Sequence, residues 1–403
     1  MIFFYFFLIT VIFGNEPLNL TYCDDNASHH FASPRIINTN PTGPKNAVRW
    51  PHLVRIRFHS HDSPDSFGCG GTIISDGLIL TAAHCCETDK DMVIYVNDNN
   101  INDETDPGEF KFKILVKDKS KSVTIHENYN CHKPPGTHSS CHSLPENDLC
   151  LIKLPRRLGY DEVNEKFCLS GSSNCVSDTS AQRFPCLSDE PVPPASSCWV
   201  AGWGAVKDNA RSQSTVLVDA AVTSFSNNHC KNNLRNSRHA PQIKADHLCA
   251  GNIATCPTKH GGEKMVNCAG NDACTGDSGG PLICNVDGTA ILAGVVSAGF
   301  EGPAGQIRCG RAGYPGIYSR LSANYKWISE QLIADHSATT TNTTTVTTTI
   351  VTTTTLTTTT TTVNTGPAVN PFTSINTGSV VNTSSSHTVD IFACMLIFLS
   401  NFF

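Results

Sequence analysis

Three short stretches hold residues whose types suit acyl transfer: "GDSGGP" around Ser278, "TAAHCC" around His84 and "ENDLCLIKL" around Asp148. A serine hydroxyl is a weak nucleophile at neutral pH, so it needs a histidine to take its proton and an acid to orient that histidine. The glycines flanking Ser278 let the chain turn tightly and aim the amides of Gly276 and Ser278 at one point, where an oxyanion can be held. Alone, a glycine-rich loop with a serine is more often just a loop, and among 16 histidines one His carries little weight. The three contexts, in the order His, Asp, Ser, count only together.

Such residues must be brought together by a scaffold. Between residues 36 and 336, short β-rich runs ("HLVRIRF", "GTIISDGLILTAA", "DLCLIKL", "CWVAGWG", "AILAGVVSAG") are separated by Gly, Pro, Asn and Asp clusters. That is the pattern of a sandwich or barrel of short antiparallel strands. His84 follows one apolar run and Asp148 stands at the mouth of another, so strand ends can deliver both. Only "YKWISEQLIADH" looks helical, with Trp327, Ile328, Gln331 and Leu332 on neighbouring positions of an amphipathic closing helix.

The chain has 403 residues and a net charge of -6, which suggests no nucleic-acid partner. Its 19 irregularly spaced cysteines point to an oxidising compartment and form no compact metal-ligand set. The opening "MIFFYFFLITVIFG" (residues 1–14) reads as a secretory signal, and Asn19 and Asn26 head glycosylation sequons just downstream. Residues 337–390 begin with a threonine tract and read as a mucin-like stalk; at roughly 3.1 Å per residue the tract reaches on the order of 100 Å. The final 13 residues, 391–403, are apolar but shorter than the ~20 of a spanning helix. With small residues Asn376, Thr377 and Gly378 upstream, they resemble a GPI-attachment signal, so the expected location is the cell surface or the extracellular space. The acidic run "NDNNINDETDPGE" reads as a solvated loop, with a structural calcium site as the alternative; no other cofactor is expected.

"LTAAHC", "NDLCLIKL" and "GDSGGPL" together resemble the signature blocks of the chymotrypsin/trypsin family of serine endopeptidases, over roughly residues 36–336. The resemblance implies an all-β fold of two antiparallel six-stranded β-barrels with a C-terminal helix. It implies that Ser278 attacks the peptide carbonyl, that His84 is general base and then acid, and that Asp148 orients His84. The amides of Gly276 and Ser278 would hold the oxyanion, and Ser297 would support Asp148. Asp272, six residues before the nucleophile, falls at the base of the primary pocket, where a carboxylate prefers Arg or Lys side chains. Gly299 and Gly316 match its walls; the plainer reading of Asp272 is a solvated loop acid. "SPRIINT" resembles an activation junction: cleavage after Arg35 frees the amino group of Ile36 to pair with Asp277, though Asn38 and Thr39 replace the usual glycines. Implied partners are an activating trypsin-like protease, protein substrates with Arg or Lys at the cut, and protein inhibitors.

By the same resemblance, Cys69 pairs with Cys85, Cys198 with Cys284, Cys230 with Cys249, and Cys274 with Cys309, while Cys186 holds Cys23 of a 15–35 light chain. Spacing adds Cys86 with Cys150, Cys131 with Cys141, Cys168 with Cys175 and Cys256 with Cys268. Ala298 departs from the family, standing where an aromatic residue usually lines the substrate groove. A catalytically silent surface binding module on a protease scaffold is the rival reading. Its usual mark, a lost triad residue, is missing here.

Overall fold

The computed structural model describes residues 50–59, 68–102, 109–131, 144–161, 166–172, 175, 184–206, 213–233, 242–251, 271–299, 309–310, 314–341, 347–352 and 355–360. The N-terminal leader, Cys23, Arg35, Ile36, Cys141, Cys256, Cys268, residues 103–108 of the acidic run and the C-terminal tail lie outside them. The chain divides into two compact units, Met1–Thr339 and Thr340–Phe403.

In the first unit, strands β1 (Leu53–His59), β2 (Cys69–Ile73), β3 (Leu78–Thr81), β4 (Asp91–Val96), β5 (Phe110–Ile114), β6 (Val123–Ile125) and β7 (Cys150–Lys153) form a seven-stranded antiparallel sheet. Its order is β5-β4-β1-β2-β3-β7-β6. A small hairpin follows, β8 (Leu158–Asp161) with β9 (Lys166–Leu169). Strands β10 (Ser197–Gly202), β11 (Val218–Phe225), β12 (His247–Gly251), β13 (Pro281–Val286), β14 (Thr289–Ala298) and β15 (Gly316–Arg320) then close a six-stranded barrel, with β10 paired to both β11 and β13. The fold is chymotrypsin-like, the first half built on seven strands and the second on the expected six.

The apolar runs became strands that bury one face or both: β2, β3 and β12 are buried at every position. In β11 buried residues alternate with partly exposed ones, the period of a half-covered strand. "GTIISDGLILTAA" is two strands, not one. The hydroxyl of Ser75 accepts from the amides of Gly77 (3.3 Å) and Leu78 (3.1 Å) and turns the chain at Asp76-Gly77, so only β3 leads to His84. One large apolar core runs from Ile56, Ile79 and Ile152 in the first half to Trp199, Ile283 and Val295 in the second. Burial of this kind supplies most of the folding free energy.

Helix α4 (Leu321–Thr341, after the short helices α1 Ala83–Cys86, α2 Lys119–Ser122 and α3 Asn227–Asn233) buries Leu321, Trp327, Ile328 and Leu332 in that core. It runs five residues past the expected end at 336. Arg157 anchors its later turns, bonding Asp335 and, at 2.9 Å, Asp76 of the β2-β3 turn. Where a stalk is expected, the second unit contains an antiparallel hairpin, β16 (Thr347–Thr352) with β17 (Thr355–Thr360). Threonine's branched Cβ favours that extended pairing, although an isolated two-stranded hairpin is marginal in water. No helix among the described residues is long and apolar enough to cross a membrane.

Candidate active site

Past the end of β3, Ala82 is extended and the four-residue α1 presents His84. Antiparallel pairing of β3 with β7 sets Thr81 opposite Cys150, so the residues just before β7 come alongside α1. Asp148 lies there with no exposure to solvent. Its carboxylate meets His84 twice: Oδ2 is 2.7 Å from Nδ1, and Oδ1 accepts the His84 backbone N–H at 2.9 Å. The hydroxyl of Ser297, on β14, donates to Oδ2 at 2.6 Å. Burial alone would raise the acid's pKa, but the charge and hydrogen bonds of His84 and the Ser297 hydroxyl outweigh it and hold Asp148 below the ordinary carboxylate range. An ionised Asp148 fixes the His84 tautomer with Nδ1 protonated, leaving Nε2 to accept a proton.

The second barrel grips the segment carrying Asp148 at several further points that the sequence reading missed. The Ser319 hydroxyl donates to the Asp148 carbonyl (3.1 Å), Gln242 Oε1 accepts from Leu144 N–H (2.8 Å), and Asp246 Oδ2 accepts from Asn147 N–H (2.8 Å). Asn147 has φ 47°, a left-handed conformation that Asn tolerates better than most side chains. His247 is fully buried: Nδ1 accepts the Lys244 N–H at 3.0 Å, so Nε2 carries the proton and donates to Pro145 O at 2.9 Å. Ser319 lies in a strand buried at four consecutive positions, and no local pattern marks it, His247 or Gln242.

The loop 271–280 carries Ser278. Its carbonyl accepts the Gly70 N–H of β2 at 2.7 Å, and Gly279 N–H donates to Val296 O at 2.8 Å, so the loop sits across both halves. Gly279 has φ +80°, and a Cβ there would fall 2.2 Å from the Thr81 hydroxyl and 2.5 Å from Gly70 O. Only glycine permits that approach, which sets Ser278 beside the end of β3, the strand that leads to His84. Gly276 has φ +103°, and Thr275 O accepts the Ala205 N–H at 2.9 Å. The Cys274–Cys309 disulfide ties the loop down from the other side.

Two further acids sit in this loop. Asp277 accepts the amides of Gly204 (2.7 Å) and Cys274 (2.9 Å), and burial pushes its pKa up to about 6 against those bonds. Asp272 accepts from Ala273 N–H (2.8 Å) and the Tyr318 hydroxyl (3.3 Å); desolvation raises it to about 7, with a smaller push from Asp277. A Cβ at Gly316 would lie 2.4 Å from Asp272 Oδ1, whereas one at Gly299 would meet nothing within 4 Å. Both acids hold their protons more tightly folded than unfolded. Their contribution to stability is therefore fully present below about pH 4 and is lost as pH rises through about 6 to 7.

Six expected disulfides are present among the described residues: Cys69–Cys85, Cys86–Cys150, Cys168–Cys175, Cys198–Cys284, Cys230–Cys249 and Cys274–Cys309. Cys131 is disulfide-bonded as well, and buried Cys186 lies on a bridge to Ile291. The expected partners Cys141 and Cys23 fall outside the described residues. Among the described residues the one cluster of potential metal donors is Cys69, His84 and Cys85, and its two sulfurs are bonded to each other.

A closed six-stranded barrel against a seven-stranded sheet, with a His-Asp pair where they meet, is the architecture of the chymotrypsin-like proteases. The trypsin family model matches residues 39–328. The chain is 28% identical over 321 residues to the venom serine protease Bi-VSP of Bombus ignitus, covering 78% of this chain and 72% of that protein. It is also 28% identical over 302 residues to testisin of Homo sapiens, covering 73% and 79%. The chain belongs to the trypsin family, and its class of activity is that of a serine endopeptidase.

Proposed function

We propose that this protein cleaves polypeptides after Arg and Lys, using Ser278 as nucleophile, His84 as general base and acid, and Asp148 as the group that orients His84 and stabilises the imidazolium it becomes. The observation that carries the reading is the double contact of Asp148 with His84, through Nδ1 and the backbone N–H. With Nδ1 so engaged, Nε2 takes the proton of Ser278 as its Oγ bonds to the substrate carbonyl carbon. The amides of Gly276 and Ser278 hold the resulting oxyanion. Collapse of that intermediate breaks the peptide bond, the leaving amine takes the proton from Nε2, and water then releases the acyl group by the same route. The test is hydrolysis of a peptidyl-arginyl amide by the activated protein; inertness toward such substrates together with activity on others would displace the Arg/Lys assignment.

Asp272 supports that preference, since an acid raised to about 7 by desolvation gains from a cation brought against it. Cation binding selects the ionised acid. Benzamidine, cationic throughout this range, should therefore bind about tenfold more weakly at pH 6 than on the plateau above pH 8 and release close to one proton at pH 6. Calorimetry in two buffers of different ionisation enthalpy measures both, and an affinity flat with pH would contradict the assignment.

Asp277 is suited to receive the ammonium group of Ile36 after a cut behind Arg35, because a buried carboxylate held only partway by two amides is stabilised by an ion pair. The disulfides fit folding in the secretory pathway, and the C-terminal sequence fits display on the cell surface through a GPI anchor. One experiment addresses both points. Phosphatidylinositol-specific phospholipase should release the protein from cells, and sequencing of released active enzyme should read Ile-Ile-Asn as one N-terminus. Retention on the membrane would remove the anchor, and a different start would remove the junction.

A further inference from the structure

Helix α1 is four residues long and lacks a side-chain N-cap, so its own hydrogen bonds supply little to hold it. Yet it carries His84, whose orientation must be fixed. Two consecutive half-cystines end it, pulling in different directions: Cys85 bonds to Cys69 on β2, and Cys86 bonds to Cys150, the first residue of β7.

We propose that the Cys86–Cys150 disulfide is a positioning element of the catalytic pair, setting the distance between the base and the acid. The proposal rests on the reading of His84 and Asp148 given above. Cys86 lies two residues after His84 and Cys150 two residues after Asp148, so a short ring runs from His84 through Cys86, the disulfide, Cys150 and Leu149 to Asp148. The two hydrogen bonds of His84 to the Asp148 carboxylate close it. Both cysteines are buried, at 4% and 0% exposure, so the link is packed on all sides.

Its placement separates this role from simple stapling. β3 and β7 are already paired from Leu78–Lys153 to Thr81–Cys150, and a bridge serving that ladder would fall within it. This one reaches from the ladder's last residue to the far end of α1, spanning the segment that holds His84. On the acid's side the link meets a tight turn, in which Asn147 is left-handed and Leu149 N–H bonds back to Asn147 O at 2.7 Å. Without the link, α1 keeps Cys85 as its covalent tether and can pivot about it, lengthening the contact between imidazole and carboxylate.

The test compares activated wild type with Cys86→Ala/Cys150→Ala, using Cys168→Ala/Cys175→Ala, the disulfide from β9 to the residues that follow the hairpin, as control. Loss of the catalytic bridge should lower kcat by roughly tenfold or more with KM within about twofold, as a small misplacement of catalytic groups does. The acid limb of the pH profile should move to lower pH, because imidazolium loses the carboxylate that stabilises it. The control should keep both wild-type kcat and limb. If the alanine pair does not fold, Cys86→Val/Cys150→Ala refills the space without the link and is read in the same way. Wild-type kcat and pH profile in a folded unlinked variant would overturn the proposal and leave only a structural staple. Fluorophosphonate labelling rates keep the two readings apart: an inert wild type means that the assigned nucleophile is wrong, whereas equal rates in wild type and variant count against the bridge alone.

Discussion

Ser278→Ala is expected to lower kcat/KM of the activated protein on a peptidyl-arginyl amide by about 10⁴- to 10⁶-fold, the range seen when the nucleophile of such a triad is removed. The change deletes one oxygen. The backbone contacts of residue 278, including the 2.7 Å bond from Gly70 N–H to its carbonyl, remain available, and circular dichroism and melting temperature should match wild type. Benzamidine affinity should also persist, because Asp272 and Gly316 are untouched. A silent binding module makes the opposite prediction, since wild type and variant would then be equally inactive. Rates measured on both proteins after the same activating cut decide between them.

The second large effect is expected at Asp272. Asp272→Ser should reduce kcat/KM for arginyl and lysyl substrates by about 10³- to 10⁵-fold, because a pocket that relied on a carboxylate then buries the substrate cation unpaired. Hydrolysis at uncharged residues should fall far less. The fold should survive, since a serine hydroxyl can still accept from the Ala273 N–H, one of the donors that hold the acid together with the Tyr318 hydroxyl and the Gly310 N–H. The pH dependence of benzamidine binding should disappear together with the titrating acid. Profiling cleavage of a peptide library by both forms measures the change, and an unaltered preference would reassign Asp272 as a loop acid.

How much of this could be read in the sequence varies by element. His84 and Asp148 were legible because each follows or precedes an apolar run that had to become a strand, and antiparallel pairing of β3 with β7 then brings them together. Cys86–Cys150 was legible for the same reason, as an offset of two from both residues. The hairpin inside "GTIISDGLILTAA" was missed although Asp76-Gly77 is a turn signal, because the apolar residues on either side obscured the break. The grip of Gln242, Asp246, His247 and Ser319 on residues 144–148 depends on how two distant strands pass each other, and no local pattern encodes that contact. Helix α4 extends past 336 because Ala and Thr can continue a helix already anchored by Trp327, Leu332 and Asp335, although threonine on its own favours it weakly.

The central claim is that Ser278 is a nucleophile activated by His84 and Asp148, and its most direct test is a covalent one. The activated protein, treated with a fluorophosphonate and analysed by intact mass and peptide mapping, should gain a single phosphonyl group on Ser278, and heat-denatured protein should gain none. No adduct on the native enzyme, or an adduct on another residue, would contradict the account.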